Sequence, residues 1–272
     1  MMRMTDLSKR KAILILLVLF NSSACVFAEK ADFNNANEWN SKGTALEAHG
    51  KYREAIGCYD EAIKLNPKYA EAWYNKGLVY GKLGEYEKAA GCYEEAVKIN
   101  PKYAEAWSNR GVALKTLGQY KEAIACYEKA VKINPDYAET LNNEGTALEM
   151  LEKHKQAITC YDRAIKINPE YAQAWNNKGL ALGNTGKYKE AVACYDQAIK
   201  LDPKYAEAWN NKGVAYGSLG DYKETLACSE EAIKINPNYV TAWNNKGVAL
   251  GLLGRQEEAE KCFKKAGELG GK

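Results

Sequence analysis

Residues 70–103 read AEAWYNKGLVYGKLGEYEKAAGCYEEAVKINPKY. Trp73, Gly77 and Tyr80 fall at i, i+4 and i+7, so they share one face of a helix. Ala89, Tyr93 and Ala96 repeat that spacing for a second helix, and Cys92 and Val97 widen its apolar stripe. Between them Gly84 supplies a left-handed residue that ends a helix without a Cβ penalty, and Asn100-Pro101 stops the second helix. The small Gly77, Ala89 and Ala96 let two backbones approach, while Trp73, Tyr80 and Tyr93 fill the space beside them. One such pair cannot bury both of its stripes alone.

The rest of the chain repeats this stretch. All six prolines (Pro67, Pro101, Pro135, Pro169, Pro203, Pro237) stand 34 residues apart, and seven of the eight cysteines (Cys58, Cys92, Cys126, Cys160, Cys194, Cys228, Cys262) keep the same step. After residues 1–28 and a short linker at 29–35, the units are 36–69, 70–103, 104–137, 138–171, 172–205, 206–239 and 240–272. The fold predicted is all-α, seven antiparallel helix pairs stacked so that each buries its neighbour's apolar face.

The spacing of Trp, Gly, Tyr, Ala, aromatic, Ala and Pro resembles the tetratricopeptide repeat, and the resemblance covers residues 36–272. It implies a right-handed alpha-alpha superhelix whose concave surface, lined by the first helices, holds an extended peptide or a partner helix. Two units depart from the pattern. The fourth has Leu141 for Trp, Glu152 for the turn glycine and His154 for Tyr, so its helices are expected to open at lower free energy than its neighbours'. The last has Gly267 where siblings carry Ile63 or Val97, and ends at Gly270-Gly271-Lys272 without an extra polar helix. Its edge is expected to fray, self-associate or be covered by a partner.

The net charge of +3 is concentrated in the first 28 residues, where Arg3, Lys9, Arg10 and Lys11 face only Asp6. The remainder carries as many acidic as basic side chains, which gives no electrostatic footprint for nucleic acid. Residues 1–28 combine that basic start with an apolar run from Ala12 to Phe20 and small residues before Glu29, the layout of a secretory signal cleaved after Ala28. The nine-residue run is short for a spanning helix, which needs ~20 residues, so a signal anchor requires Ala24–Ala28 in lipid as well. Ser22-Ser23-Ala24-Cys25 resembles a bacterial-type lipoprotein site with Cys25 as acceptor. All three readings place the repeats outside the cytoplasm, secreted or associated with the cell envelope, with a possible membrane tether through residues 12–28.

The matching groove positions form an asparagine ladder, Asn75, Asn109, Asn143, Asn177, Asn211 and Asn245, with Ser41 in the first unit. An amide both donates and accepts, so the ladder can grip a peptide backbone whatever its side chains, similar to the tetratricopeptide arm of O-GlcNAc transferase. The alternative is that these amides bond locally or to water. Beside them lie Tyr74, Asn176, Asn210 and Asn244, and one turn on are Leu78, Val112, Leu180, Val214 and Val248, apolar on a face expected to meet solvent. Gly81, Gly183, Gly217 and Gly251 sit inside first helices, where close packing or a ligand backbone would explain them. The family's lysine and arginine clamp for acidic chaperone tails has no counterpart at Asn40, Thr44 and Tyr74. The basic row Lys42, Lys76, Arg110, Lys178, Lys212 and Lys246, interrupted by Glu144, is read as stems over apolar surface with heads reaching water or a carboxylate.

No Cys-x-x-Cys pair, zinc-protease motif, phosphate loop or nucleophile elbow appears. The periodic cysteines read as small buried side chains, since stacked helices ~8–10 Å apart are too distant for a bridge. His49 and His154 sit at inter-helix turns with nothing to mark either as a base. The reading is a non-catalytic protein-binding scaffold without cofactor or metal. Two alternatives are a self-assembling structural or assembly-factor protein of the cell envelope, through its C-terminal repeat, and a substrate-presenting subunit of an enzyme complex.

Overall fold

The computed structural model describes residues 36–271; the proposed signal, anchor and lipoprotein sites, Cys25 included, lie outside them. Among the described residues there are fourteen helices and no strand. The first helices of the pairs are α1 (Ala36–Ala48), α3 (Ala70–Lys82), α5 (Ala104–Thr116), α7 (Ala138–Glu149), α9 (Ala172–Asn184), α11 (Ala206–Ser218) and α13 (Val240–Leu252). The second helices are α2 (Tyr52–Leu65), α4 (Tyr86–Ile99), α6 (Tyr120–Ile133), α8 (His154–Ile167), α10 (Tyr188–Leu201), α12 (Tyr222–Ile235) and α14 (Gln256–Gly270). The all-α fold of paired helices is the class the sequence predicts. Two compact units are present, Met1–Pro101 holding α1–α4 and Lys102–Lys272 holding α5–α14.

Within a pair the contact is a ring laid on a bare backbone. A Cβ added to Gly77 would come 2.7 Å from Cε1 of Tyr93, and one on Gly179 would come 2.6 Å from Cε1 of Tyr195. Only glycine permits that approach, and the buried ring contributes on the order of 2–3 kcal/mol, the scale for an aromatic the size of Phe. The sixth pair differs. Ser229 replaces the ring opposite Gly213, and Thr225, where siblings carry Ala, fills the gap and donates its hydroxyl to the Gly213 carbonyl at 3.1 Å.

Each pair ends in a turn of its own design. The Asn168 side chain accepts from the Glu170 amide, and the Trp175 indole donates to the Pro169 carbonyl at 3.0 Å. The same indole bond recurs from Trp73 to Pro67, Trp209 to Pro203 and Trp243 to Pro237. The Asn-Pro signal therefore stops one helix and also anchors the next, since its carbonyl holds the tryptophan one turn into the first helix.

The aliphatics of the second helices stitch one pair to the next. In the second unit Ile124 packs against the cluster of Leu148, Cys160, Tyr161 and Ala181. Ile158 joins that cluster and the following one at Leu182, Cys194, Tyr195 and Ala215, and Leu226 packs against Leu250, Ala259 and Cys262. All seven repeat cysteines are buried. Burial pushes the Cys194 and Cys228 thiols up to about 11, which keeps them unreactive.

The fourth pair keeps the turn that its missing glycine was expected to cost it. Glu152 takes the left-handed conformation, φ 58°, that Gly118 and Gly186 hold at 75° and 80°. The Lys153 amide still closes on the Leu148 carbonyl at 3.0 Å, as Lys187 closes on Leu182. His154, in the place of tyrosine, puts Nδ1 3.1 Å from the Glu149 carboxylate. At the other end, α14 runs through Gly267 to Gly270. Glu260 and Gly267 there occupy the positions of Leu226 and Ile233, removing both aliphatics that would stitch a further pair.

Candidate peptide-binding face

One face of each first helix is left to solvent, and on it residues at i, i+4, i+7 and i+11 line up. In α11 that line is Glu207, Asn211, Val214 and Ser218; in α13 it is Thr241, Asn245, Val248 and Leu252. Leu180, Val214 and Val248 are 42%, 48% and 50% exposed. These are large fractions for aliphatics in a chain with ample buried core. Leu78 and Val112 are half-buried, and Tyr74 is half-buried with its ring 5.8 Å from that of Tyr93.

The ladder asparagines are half-buried, and most are engaged across repeats rather than locally. Asn75 donates to the side-chain carbonyl of Asn40 at 3.1 Å, Asn177 to Asn142 at 3.0 Å, Asn211 to Asn176 at 3.1 Å and Asn245 to Asn210 at 2.8 Å. Each acceptor lies one position before its own repeat's ladder residue and is at most 4% exposed. Asn40 passes its own amide to Tyr69, at the end of its own repeat, and to Glu71 of the next. Between the third and fourth repeats this relay is replaced. Ser108 shares a hydrogen bond with Thr140 at 2.8 Å, and Asn143 accepts from the Lys115 ammonium at 3.1 Å. Asn109 is half-buried in the same row. Sequence reasoning set Asn176 and Asn210 beside the ladder but missed their burial and their role as acceptors, and it passed over Asn142. Asn244 is exposed.

The basic row is occupied in a second cross-repeat bond. Lys76 reaches Asp60 at 2.6 Å, Lys178 reaches Asp162 at 2.7 Å, Lys212 reaches Asp196 at 2.8 Å and Lys246 reaches Glu230 at 3.0 Å. The same ammonium groups lie 5.3–5.8 Å from the tryptophan ring centroids of their own helices, as Lys76 does over Trp73. Burial alone would lower Lys212, but the bond and charge of Asp196 overcome it and its pKa is raised. Glu144 reverses the pattern. It is 8% exposed, and its pKa is raised by burial first and by the charge of Glu128 second, while a Cys160 bond and Arg163 oppose the shift.

The interior glycines are not needed for packing. A Cβ on Gly183 would meet nothing within 4 Å, and the nearest atom to one on Gly81 is the Tyr93 hydroxyl at 3.9 Å. Among the described residues no group of three His, Cys, Asp or Glu side chains could hold a metal ion, and no helix is long and apolar enough to cross a membrane.

Three family models for tetratricopeptide repeats match the chain: one at 70–103, 104–137 and 206–239, a second at 43–84, 145–186 and 184–220, and a third at 126–159 and 228–261. Together they run without a break from residue 43 to 261, and the chain belongs to the tetratricopeptide repeat family. Its members are, in general, scaffolds for protein interaction and typically not catalysts. No curated protein matches the chain. Among solved structures it is similar to YrrB, described as a TPR protein with an unusual peptide-binding site, at 28% identity and TM-score 0.58 over 68% of this chain and 95% of that one. It is also similar to MamA, at 29% identity and TM-score 0.55 over 58% and 93%. A tetratricopeptide repeat protein of Parabacteroides merdae shares the fold at 19% identity and TM-score 0.69 over 86% and 93%.

Proposed function

We propose that this protein is a non-catalytic scaffold that holds an extended peptide or partner segment on the exposed face of its first helices, outside the cytoplasm. The observation that carries the reading is the row Leu180, Val214 and Val248. These are three aliphatics about half exposed in successive repeats, beside amides that already have one bond each. Solvating such a row has a cost that a bound segment relieves. The ladder gives that segment a rigid amide edge, because the cross-repeat bonds hold each asparagine in place. Its likeness to YrrB, a TPR protein with an unusual peptide-binding site, supports the same reading. Placement outside the cytoplasm rests on the basic, apolar and small residues in order along 1–28.

The test is selection of a random peptide library on the intact protein, with Val214→Glu as the comparison. Peptides enriched on the wild type and lost on the variant, with unchanged circular dichroism, are the expected result. A library that enriches nothing, or enriches equally on both, would dispose of this face as the binding site.

A further inference from the structure

The aliphatic row on the first helices is broken at one place. The positions of Leu78, Val112, Leu180, Val214 and Val248 continue in the fourth repeat as Thr146. One turn further along the helix, the position of Gly81, Gly183, Gly217 and Gly251 is Lys115 in the third repeat and Glu149 in the fourth. Two of these departures meet. Across the seam between α5 and α7, the Lys115 ammonium donates to Asn143 Oδ1 at 3.1 Å and to Thr146 Oγ1 at 3.3 Å. All three side chains are half-buried.

Hydrogen-bond donors are left over at this seam. An ammonium has three N–H groups, and Lys115 spends two. Because the Asn143 oxygen accepts from Lys115, its nitrogen faces the other way, and no acceptor among the described residues takes it. In later repeats the same nitrogen donates to a buried asparagine, as Asn177 does to Asn142 and Asn211 to Asn176. Here that place is held by Ser108, whose hydroxyl is bonded to Thr140.

Charge is left over as well. Lys178 and Lys212 each meet an aspartate, whereas Lys115 meets no carboxylate among the described residues. Burial alone acts on it and draws its pKa down. Glu149, one turn beyond Thr146, is engaged by His154 and Asn184 instead. A half-buried cation with neutral partners only is a cost that a bound anion offsets.

Resting on the binding reading above and deepening it, we infer that the seam between the third and fourth repeats is a carboxylate-binding site. One oxygen of the ligand accepts the remaining N–H of Lys115, and the other accepts from the Asn143 amide nitrogen. A carboxylate suits this donor set because it brings two acceptor oxygens, a negative charge and no hydrogen to place. It belongs to an aspartate, a glutamate or the C-terminus of the held segment, whose aliphatics seat on Leu180, Val214 and Val248. In a row of near-identical repeats, this one unmatched cation fixes where along the groove that segment begins. The site shares no residue with Asn40, Thr44 and Tyr74, where the family's clamp for acidic tails would stand.

The experiment is selection of a synthetic peptide library, made with amidated and with free C-termini, on the intact protein, on Lys115→Gln and on Lys115→Glu. On the wild type, aspartate and glutamate should be enriched about tenfold at one position of the amidated library, the scale of one charge-assisted hydrogen bond. Enrichment of the free-terminus library alone would instead assign the carboxylate to a C-terminus. Lys115→Gln should abolish the preference, and Lys115→Glu should turn it toward lysine and arginine. Selected peptides without a carboxylate preference, or the same peptides on Lys115→Glu, overturn the site and leave the binding reading in place. If no peptide is selected the binding reading falls, and the Asn143 side-chain amide resonance, followed by NMR as acetate is added, decides the site. A saturable shift with acetate but not acetamide, lost in Lys115→Gln, upholds it; an unmoved resonance overturns it.

Discussion

Gly145 lies under the ring of Tyr161, so that a Cβ on the glycine would come 2.5 Å from Cε1. Tyr161 is 1% exposed and has no room to retreat. Gly145→Ala should therefore destabilise by about 1–3 kcal/mol through overpacking. Gly183→Ala has open space around the new methyl and should stabilise by up to about 1 kcal/mol through helix propensity alone. Urea denaturation of the two variants checks the opposite signs. A stabilised Gly145→Ala would remove the argument for ring-on-backbone packing.

The cross-repeat relay predicts that buried and exposed asparagines differ. Asn176→Ala removes a fully buried acceptor and strands the Asn211 amide that donates to it. It should cost about 1–3 kcal/mol, against less than about 1 kcal/mol for the exposed Asn244→Ala. Equal losses in thermal unfolding would argue that the relay is incidental.

Tyr59 donates its hydroxyl to Glu47 at 2.9 Å, whereas the buried Tyr127 hydroxyl has no hydrogen-bond partner among the described residues. Tyr59→Phe should lose about 1 kcal/mol, and Tyr127→Phe should be neutral or gain. A large loss at Tyr127→Phe, measured by denaturant midpoint, would mean that its hydroxyl is satisfied in solution.

Glu144 makes stability depend on pH in an unusual direction for a carboxylate. Its folded pKa is raised by burial and by Glu128, so the folded state favours the protonated form. Its contribution is fully present below the unfolded pKa and is lost as pH rises through the raised folded value. Glu144→Gln should remove that loss, narrowing the difference in midpoint between about pH 5 and pH 7. Glu144→Lys should face Glu128 as Lys178 faces Asp162 and raise the neutral-pH midpoint. No change in pH dependence for either variant would show that water reaches this carboxylate.

Glu152 holds a left-handed backbone without being glycine. Glu152→Gly should stabilise by about 1 kcal/mol, and hydrogen exchange in α7 and α8 should slow with it. Destabilisation would mean that the Glu152 side chain has a compensating role.

The helix pairs were legible because period and complementarity coincide: Gly77 and Tyr93 stand in every complete unit but one, and a ring that needs a bare backbone reads directly from residue size. The turn at Glu152 was not, because sequence shows the missing glycine but not that closure from Lys153 to Leu148 would hold a glutamate in its place. The positions of the ladder came from the resemblance to the tetratricopeptide repeat. Its bonding was hidden, since reaching the residue 35 positions earlier depends on the offset between neighbouring helices, which no single helix encodes. Gly183 illustrates the opposite case: close packing was one of two reasons expected for it, and the space beside it is open.

The relay from Asn177 to Asn142, Asn211 to Asn176 and Asn245 to Asn210 spans one residue more than the 34-residue period. The fifth and sixth modules therefore each carry their own donor together with the acceptor for a successor. A tandem duplication or deletion of either one, as slippage in copying would produce, leaves these amides matched at the new seam. Copy number can drift at little energetic cost, and the length of the array is free to follow the length of whatever it must hold.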